Sequence, residues 1–258
     1  MDEARVEYSV RNAKGPAVAG GVSGIVELIS PGSVAKSPWP GSEEALCRKD
    51  IQLEAEVYRI LGPHQRLVKF FGYNPEDGSI TLEYMRHGTV REYLKMHGRS
   101  IPMAQRLRWA IQAAEGLALL HSSHILHCDF SPRNLLLNSS LELKVADFGG
   151  CSINGSWSSA EGSVRFHLPR ALGTPPTVRA DVFALGSTVY EIMTDRIPYE
   201  DVASGQVERL YKLSQFPDLS GVQLGEIIRR CWLSNLQSAQ EVYSALRSLD
   251  GTVALRHN

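Results

Sequence analysis

Long apolar runs are missing from this 258-residue chain. No stretch approaches the roughly eighteen residues that a membrane-spanning helix requires, so a membrane is not an expected partner. Net charge is nearly absent as well: 27 Lys and Arg against 28 Asp and Glu leave −1. Without a global basic field, nucleic acid is not an expected partner either. Cysteine is scarce. Cys47, Cys128, Cys151 and Cys231 lack metal-ligand spacing and are too few for a disulfide framework, so they read as reduced thiols. The opening Met1-Asp2-Glu3-Ala4-Arg5 has no secretory apolar core. These absences point to the cytoplasm, with the nucleus as the alternative compartment. What the chain does have is 43% hydrophobic content, enough to bury a core in one large or two modest units.

The most informative stretch is His127-Cys128-Asp129-Phe130-Ser131-Pro132-Arg133-Asn134, with Asp147-Phe148-Gly149 beginning thirteen residues after its Asn. Leu135-Leu136-Leu137 reads as a short buried strand, Asn138-Ser139-Ser140 as a turn, and Leu141 to Val145 alternates with period two. Such a hairpin would place Asn134 and Asp147 at neighbouring ends of one ribbon. Singly, either residue is an ordinary turn former. As a set at this spacing they resemble the catalytic loop and metal-binding D-F-G of eukaryotic protein kinases, in a tyrosine-kinase-like variant with a His-Cys-Asp loop.

The resemblance covers about residues 19 to 249 and implies a two-lobed α+β protein-kinase-like fold: a small antiparallel-sheet lobe with one helix, and a larger helical lobe. Residues 1–17 are polar and lack a clear period, so they read as an N-terminal tail; a nucleotide-binding lobe at 18–85, a catalytic and substrate-binding lobe at 86–250 and a tail at 251–258 follow. The resemblance implies ATP and Mg²⁺, and a protein as substrate; oligomeric state is open. Phosphoryl transfer from ATP proceeds through a loose transition state, so the protein mainly positions groups and neutralises charge. Asp129 would then orient the attacking hydroxyl and accept its proton, while Asp147 and Asn134 would hold the metal through hard oxygen ligands. Arg133, four residues after Asp129, would balance phosphate charge.

In the first lobe, Gly20 to Ile29 reads as a strand after a flexible turn, and Pro31-Gly32 turns it back into Ser33-Val34-Ala35-Lys36. The family's phosphate loop aligns with Ala19, Gly21, Gly24 and Val26, alanine replacing the first glycine. Lys36 matches the lysine that grips the phosphates. Taken alone it would be an exposed lysine. However, Cys47, Ile51, Glu54, Tyr58 and Leu61 form one helical stripe in which an acid interrupts an apolar face, and a buried acid needs a partner. A Lys36–Glu54 pair supplies one; Glu56 points off the stripe. Leu67 to Tyr73 and Ser79 to Met85 read as two further strands. By resemblance Leu82 lies beside the adenine, the backbone of Glu83 and Met85 binds its edge, and Val26, Val34 and Leu136 join the nucleotide site. A helix spans Met103 to Ser123, and a helix apolar nearly all round begins at Ala180, with Asp181 matching the family acid that accepts hydrogen bonds from the catalytic loop.

The departures are specific. Cys128 stands where most kinases carry the arginine that receives an activation-loop phosphate, so activity should not require that phosphate. The serines at 152, 156, 158, 159 and 163 read as a polar loop. Leu168-Pro169-Arg170 replaces A-P-E, and the arginine that normally pairs with that Glu is also missing after Cys231-Trp232, so no buried charge is orphaned. Ser131 replaces the lysine usual in Ser/Thr kinases, whereas Arg133 and Val164-Arg165-Phe166 look more like tyrosine kinases. Ser/Thr is the first expectation for the hydroxyl and Tyr the second. Two rivals stand beside this reading: a pseudokinase that binds without turnover, and a small-molecule kinase of the aminoglycoside-phosphotransferase type.

Overall fold

The computed structural model describes residues 13–254 except 161 and 172. A five-stranded antiparallel sheet in the order β1-β2-β3-β5-β4 forms the smaller lobe, from β1 (Ala17–Gly20), β2 (Ile25–Ser30), β3 (Ser33–Ser37), β4 (Phe70–Asn74) and β5 (Ser79–Glu83). The strand expected from Gly20 is therefore two strands with the glycine turn between them. Ala17 already belongs to the sheet, and the preceding residues tie down: Leu28 N–H donates to Pro16 O, and Lys14 Nζ meets Asp77 at 2.8 Å. Expectations for residues 1–12 lie outside the described residues. The strand expected from Leu67 begins at Phe70, because Leu67 and Val68 turn instead to Val145 of the other lobe.

Helix α1 (Glu44–Leu61) crosses the sheet. Cys47, Ile51, Glu54 and Tyr58 of its expected stripe are buried, Leu61 is partly so, and Glu56 is exposed. Gly62 ends it at φ 66° and ψ −173°, a conformation that costs a residue without Cβ little.

The larger lobe holds α2 (Val90–His97), α3 (Met103–Ser122), α4 (Val178–Thr194), α5 (Ser204–Lys212), α6 (Gly225–Trp232) and α7 (Ala239–Ala254). The last runs four residues past the boundary read at 250. Helix α2 begins with a reciprocal capping box between Thr89 and Glu92. Helix α4 begins at Val178 rather than Ala180 because the Thr177 hydroxyl caps it, accepting from Ala180 N–H at 3.2 Å. It is buried almost throughout, and Gly186 lets α6 approach: a Cβ there would fall 2.6 Å from the Cys231 Cβ. Trp109, Ala113, Leu117 and Leu120 of α3 complete the core.

Between the lobes lies the ribbon β7 (Leu135–Leu137) and β8 (Leu143–Val145), while β6 (Ile125–Leu126) pairs with β9 (Ser152–Ile153). The second ribbon strand starts two residues later than alternation suggests. Leu141 is left-handed at φ 58° and still belongs to the turn, which the Asn138 side chain organises by accepting from the N–H groups of Ser140 and Glu142.

Candidate active site

One lysine joins three elements. Lys36 on β3 donates through Nζ to Glu54 Oε2 on α1 and to Asp147 Oδ1 after β8, each at 2.7 Å. Burial alone would push the ammonium's pKa down, yet Asp147 and Glu54 together hold it above the ordinary lysine value. Asp147 is pulled below its usual range, first by the Lys36 charge. The burial cost falls on Glu54, whose carboxyl is raised despite its partner. Asp147 lies deep between the lobes but open on one side: 48% of its side-chain surface is accessible, against 1% for Glu54.

The hairpin brings the second group alongside. Ala146 N–H donates to Asn134 O at 3.0 Å, closing the ribbon end so that Asn134 and Asp147 are neighbours. The Asn134 amide donates to the Asp129 main-chain oxygen at 2.8 Å and to its Oδ2 at 3.2 Å, and no donor among the described residues meets its amide oxygen. Asp129 Oδ1 has no hydrogen-bond partner among the described residues; Arg133 approaches it at 3.7 Å. Burial raises the Asp129 carboxyl, with His127, Arg133 and Asn134 pulling against it. Among the described residues no cluster of three His, Cys, Asp or Glu could hold a metal. One carboxylate plus one amide oxygen suits Mg²⁺, which commonly takes one or two carboxylates together with phosphates.

Asp181 holds the loop from below. Its two oxygens accept the N–H groups of His127 at 2.8 Å and Cys128 at 3.0 Å, and His121 Nε2 lies 3.0 Å away. Cys128 is left-handed at φ 67°, a conformation that costs a residue with a Cβ roughly 1–2 kcal/mol. The bond to Asp181 compensates for that strain. The thiol points back to Leu126 O, and burial pushes it up to about 11, so it is a packed thiol in place of a cation.

In the smaller lobe Gly21 N–H donates to Gly24 O at 2.9 Å, closing the β1–β2 turn. Gly24 cannot be larger, since a Cβ would lie 2.1 Å from Ser37 O. Ala19 sits in β1 opposite Val26, not in the turn, so its methyl is accommodated. Val34 and Leu82 are cross-strand partners and both buried, and Val26 and Leu136 are half-buried. Glu83 N–H is already used by Lys69 O and Met85 O by Gly88 N–H, which narrows the backbone groups those two residues can offer an adenine edge.

Several neighbours of this cleft escaped the sequence reading. Trp39 Nε1 donates to Gly21 O at 2.8 Å, clamping the glycine turn from beneath. Tyr58 stacks on Phe70 at 5.3 Å and meets Phe148 edge-on at 5.0 Å, while His127 meets Phe148 at 5.8 Å; this ladder of rings crosses from α1 to the catalytic loop. Tyr58 stood on the predicted buried stripe, but nothing local names its partners. Arg91 forms a two-pronged pair with Glu191 at 2.7 and 2.6 Å and lies over the Phe166 ring, bracing the end of the activation segment. Arg170 is half-buried and donates to Thr174 O at 3.1 Å, while Leu236 is buried and apolar.

A family model for protein tyrosine and serine/threonine kinases matches residues 39–247. Among curated proteins, the chain is 29% identical over 205 residues to the serine/threonine/tyrosine-protein kinase HT1 of Arabidopsis thaliana, covering 75% of this chain and 53% of that one. It is 29% identical over 180 residues to the serine/threonine-protein kinase STY46 and 27% identical over 180 residues to STY17, both of the same plant, covering 66% of this chain and 31% of each. The chain thus spans about half the length of one relative and about a third of the others. With a match across most of its length and a cleft built from the elements described above, the chain belongs to the protein tyrosine and serine/threonine kinase family.

Proposed function

We propose that the chain is a protein kinase that transfers the γ-phosphoryl group of ATP to a protein hydroxyl, serine or threonine first and tyrosine second. One observation carries the reading: a buried lysine bonded at 2.7 Å to acids on two different elements, with a carboxylate on the adjoining loop that has one oxygen without a hydrogen-bond partner among the described residues. In this reading Lys36, oriented by Glu54, neutralises nucleotide phosphate charge. Asp129 Oδ1 receives the hydroxyl proton of the substrate, its raised basicity suiting it to accept one, and the Asn134 amide fixes that carboxylate. Arg133 offers a flanking cation. The open edge of Asp147 and the amide oxygen of Asn134 would hold Mg²⁺. When bound, the ion would neutralise charge on the phosphate oxygens.

The working compartment is proposed to be the cytoplasm, with the nucleus as alternative, and the role signalling by protein phosphorylation. Buried thiols at Cys47, Cys151 and Cys231 suit a reducing setting. No helix among the described residues is long and apolar enough to cross a membrane. The test is radiolabelled phosphate transfer by the purified chain to a peptide array and, in parallel, to a panel of small alcohols, followed by phosphoamino-acid analysis. Label on peptides, dependent on Mg²⁺, is expected. Label on small alcohols alone would replace this reading with the small-molecule one, and no transfer to either would support a binding module.

A further inference from the structure

The activation segment reaches α1 through a serine side chain. Ser159 Oγ donates to Asp50 Oδ1 at 3.3 Å. The other serines nearby are differently placed. Ser152 is buried, and Ser158 is bonded inward to the main chain at Gly150 and Ala160. Ser156 accepts from Ile153 N–H. Ser159 is exposed and faces a carboxylate.

We propose that Ser159 is a phosphorylation site whose modification switches the kinase off, by setting a phosphate against Asp50 and prising the activation segment from α1. The proposal rests on the kinase reading above and adds a regulation to it. Three pieces of chain converge at this point. A Cβ at Gly149 would lie 3.2 Å from the Asp50 Cβ, and one at Gly150 would lie 2.2 Å from the Ala160 Cβ, so α1, the metal-side turn and the segment are in direct contact. Asp50 precedes Glu54 by one helical turn, so what displaces Asp50 displaces the partner of Lys36.

The charges set the sign. A phosphoserine carries about −1.5 to −2 and only accepts hydrogen bonds, whereas the Ser159 hydroxyl donates one. Burial pushes the Asp50 carboxyl up, and the Ser159 hydroxyl and Lys36 pull it back, so the hydroxyl supports the carboxylate that a phosphate would repel. Asp147 adds a second negative charge close enough to act on Asp50. Lys36 is already held by Glu54 and Asp147, and the residue before Asp129 is Cys128 rather than a cation. Among the described residues the Ser159 hydroxyl bonds the Asp50 carboxylate, while Arg133 lies against Asp129 and Arg170 donates to Thr174 O.

The modifying enzyme is an ATP-dependent serine kinase, a second copy of this chain being one such. The Ser159 Oγ–phosphorus bond forms as the bond from the γ-phosphorus to its bridging oxygen breaks; ADP leaves, and the hydroxyl proton goes to that enzyme's base.

The experiment places phosphoserine at 159 of the full chain by genetic encoding and compares kcat/KM and hydrogen exchange with the unmodified chain. A fall of roughly tenfold in kcat/KM is expected, with faster exchange in residues 50–61 and 147–160. In Asp50→Lys the ratio between modified and unmodified protein should return to about one or invert, and in Asp50→Asn it should shrink. An unchanged or raised kcat/KM overturns the proposal, as does a tenfold fall that persists in both Asp50 variants. If the unmodified chain transfers no phosphate, the kinase reading has failed, and the exchange comparison alone decides the contact: unaltered exchange in α1 overturns it.

Discussion

The cleft and the far end of the activation segment obey different rules. In the cleft, Lys36 and Glu54 are almost fully buried and answered by direct partners. Beyond Phe166 the chain runs half-exposed, and Arg170 is satisfied by one main-chain oxygen. The departures from the family pattern follow that division. Arg170 for Glu falls where charges are solvated and cost little to exchange. Loss of Lys36 would leave the buried Glu54 carboxylate without its partner, which costs several kcal/mol. Cys128 is the intermediate case: a cation is lost, but the backbone tie to Asp181 that sets the loop's shape stays.

Substitutions can break this contrast. Asp129→Asn should lower kcat by about two to four orders of magnitude while leaving the melting temperature near that of the parent, because it removes the proton acceptor but keeps the shape. A smaller loss in steady-state assays would move the role elsewhere. Next in size, Trp109→Ala should cost about 3–5 kcal/mol in urea unfolding, since the ring is fully buried in the helical core. Asp181→Ala leaves the N–H groups of His127 and Cys128 unpaired, at about 1–3 kcal/mol for each, and should lower kcat together with stability. Arg170→Ala should change unfolding free energy by less than about 0.5 kcal/mol; a loss comparable to Asp181→Ala would erase the distinction between the two regions.

The pH profile sharpens the same comparison. Because Asp129 is raised by burial, its deprotonated form disappears as pH falls through a value above the ordinary aspartate range. The acid limb of kcat/KM should therefore lie above about 3.9 and vanish in Asp129→Asn. A limb at or below that value would mean that Asp129 is not held as described.

Much of the fold was readable from local pattern. The α1 stripe was legible because one acid among Cys47, Ile51 and Tyr58 repeats at helical spacing, and the β7–β8 ribbon because Asn138 and alternating leucines announce a turn and a strand. Boundaries slipped where tertiary contact overrode local preference: Leu67 pairs with Val145 across the lobes, and Leu141 is drawn into the turn. Trp39 beneath the glycine turn and Asp50 on Ser159 were not legible, since each contact joins distant positions through one side chain with no periodic signature.

The order of residues by itself determined the chemical inventory: which acids, amide and lysine are present, and the short spacings that tie Asp129 to Asn134 and Asn134 to Asp147, because a five-residue loop and a tight hairpin leave the backbone few alternatives. Only the tertiary structure decided that Lys36 reaches Glu54 and Asp147 together, that Asp147 stays open on one side, and that Ser159 meets a carboxylate rather than a cation. Those outcomes depend on how α1 and the sheet pack over the ribbon, and packing between segments a hundred residues apart is set by the whole core rather than by any local run of sequence.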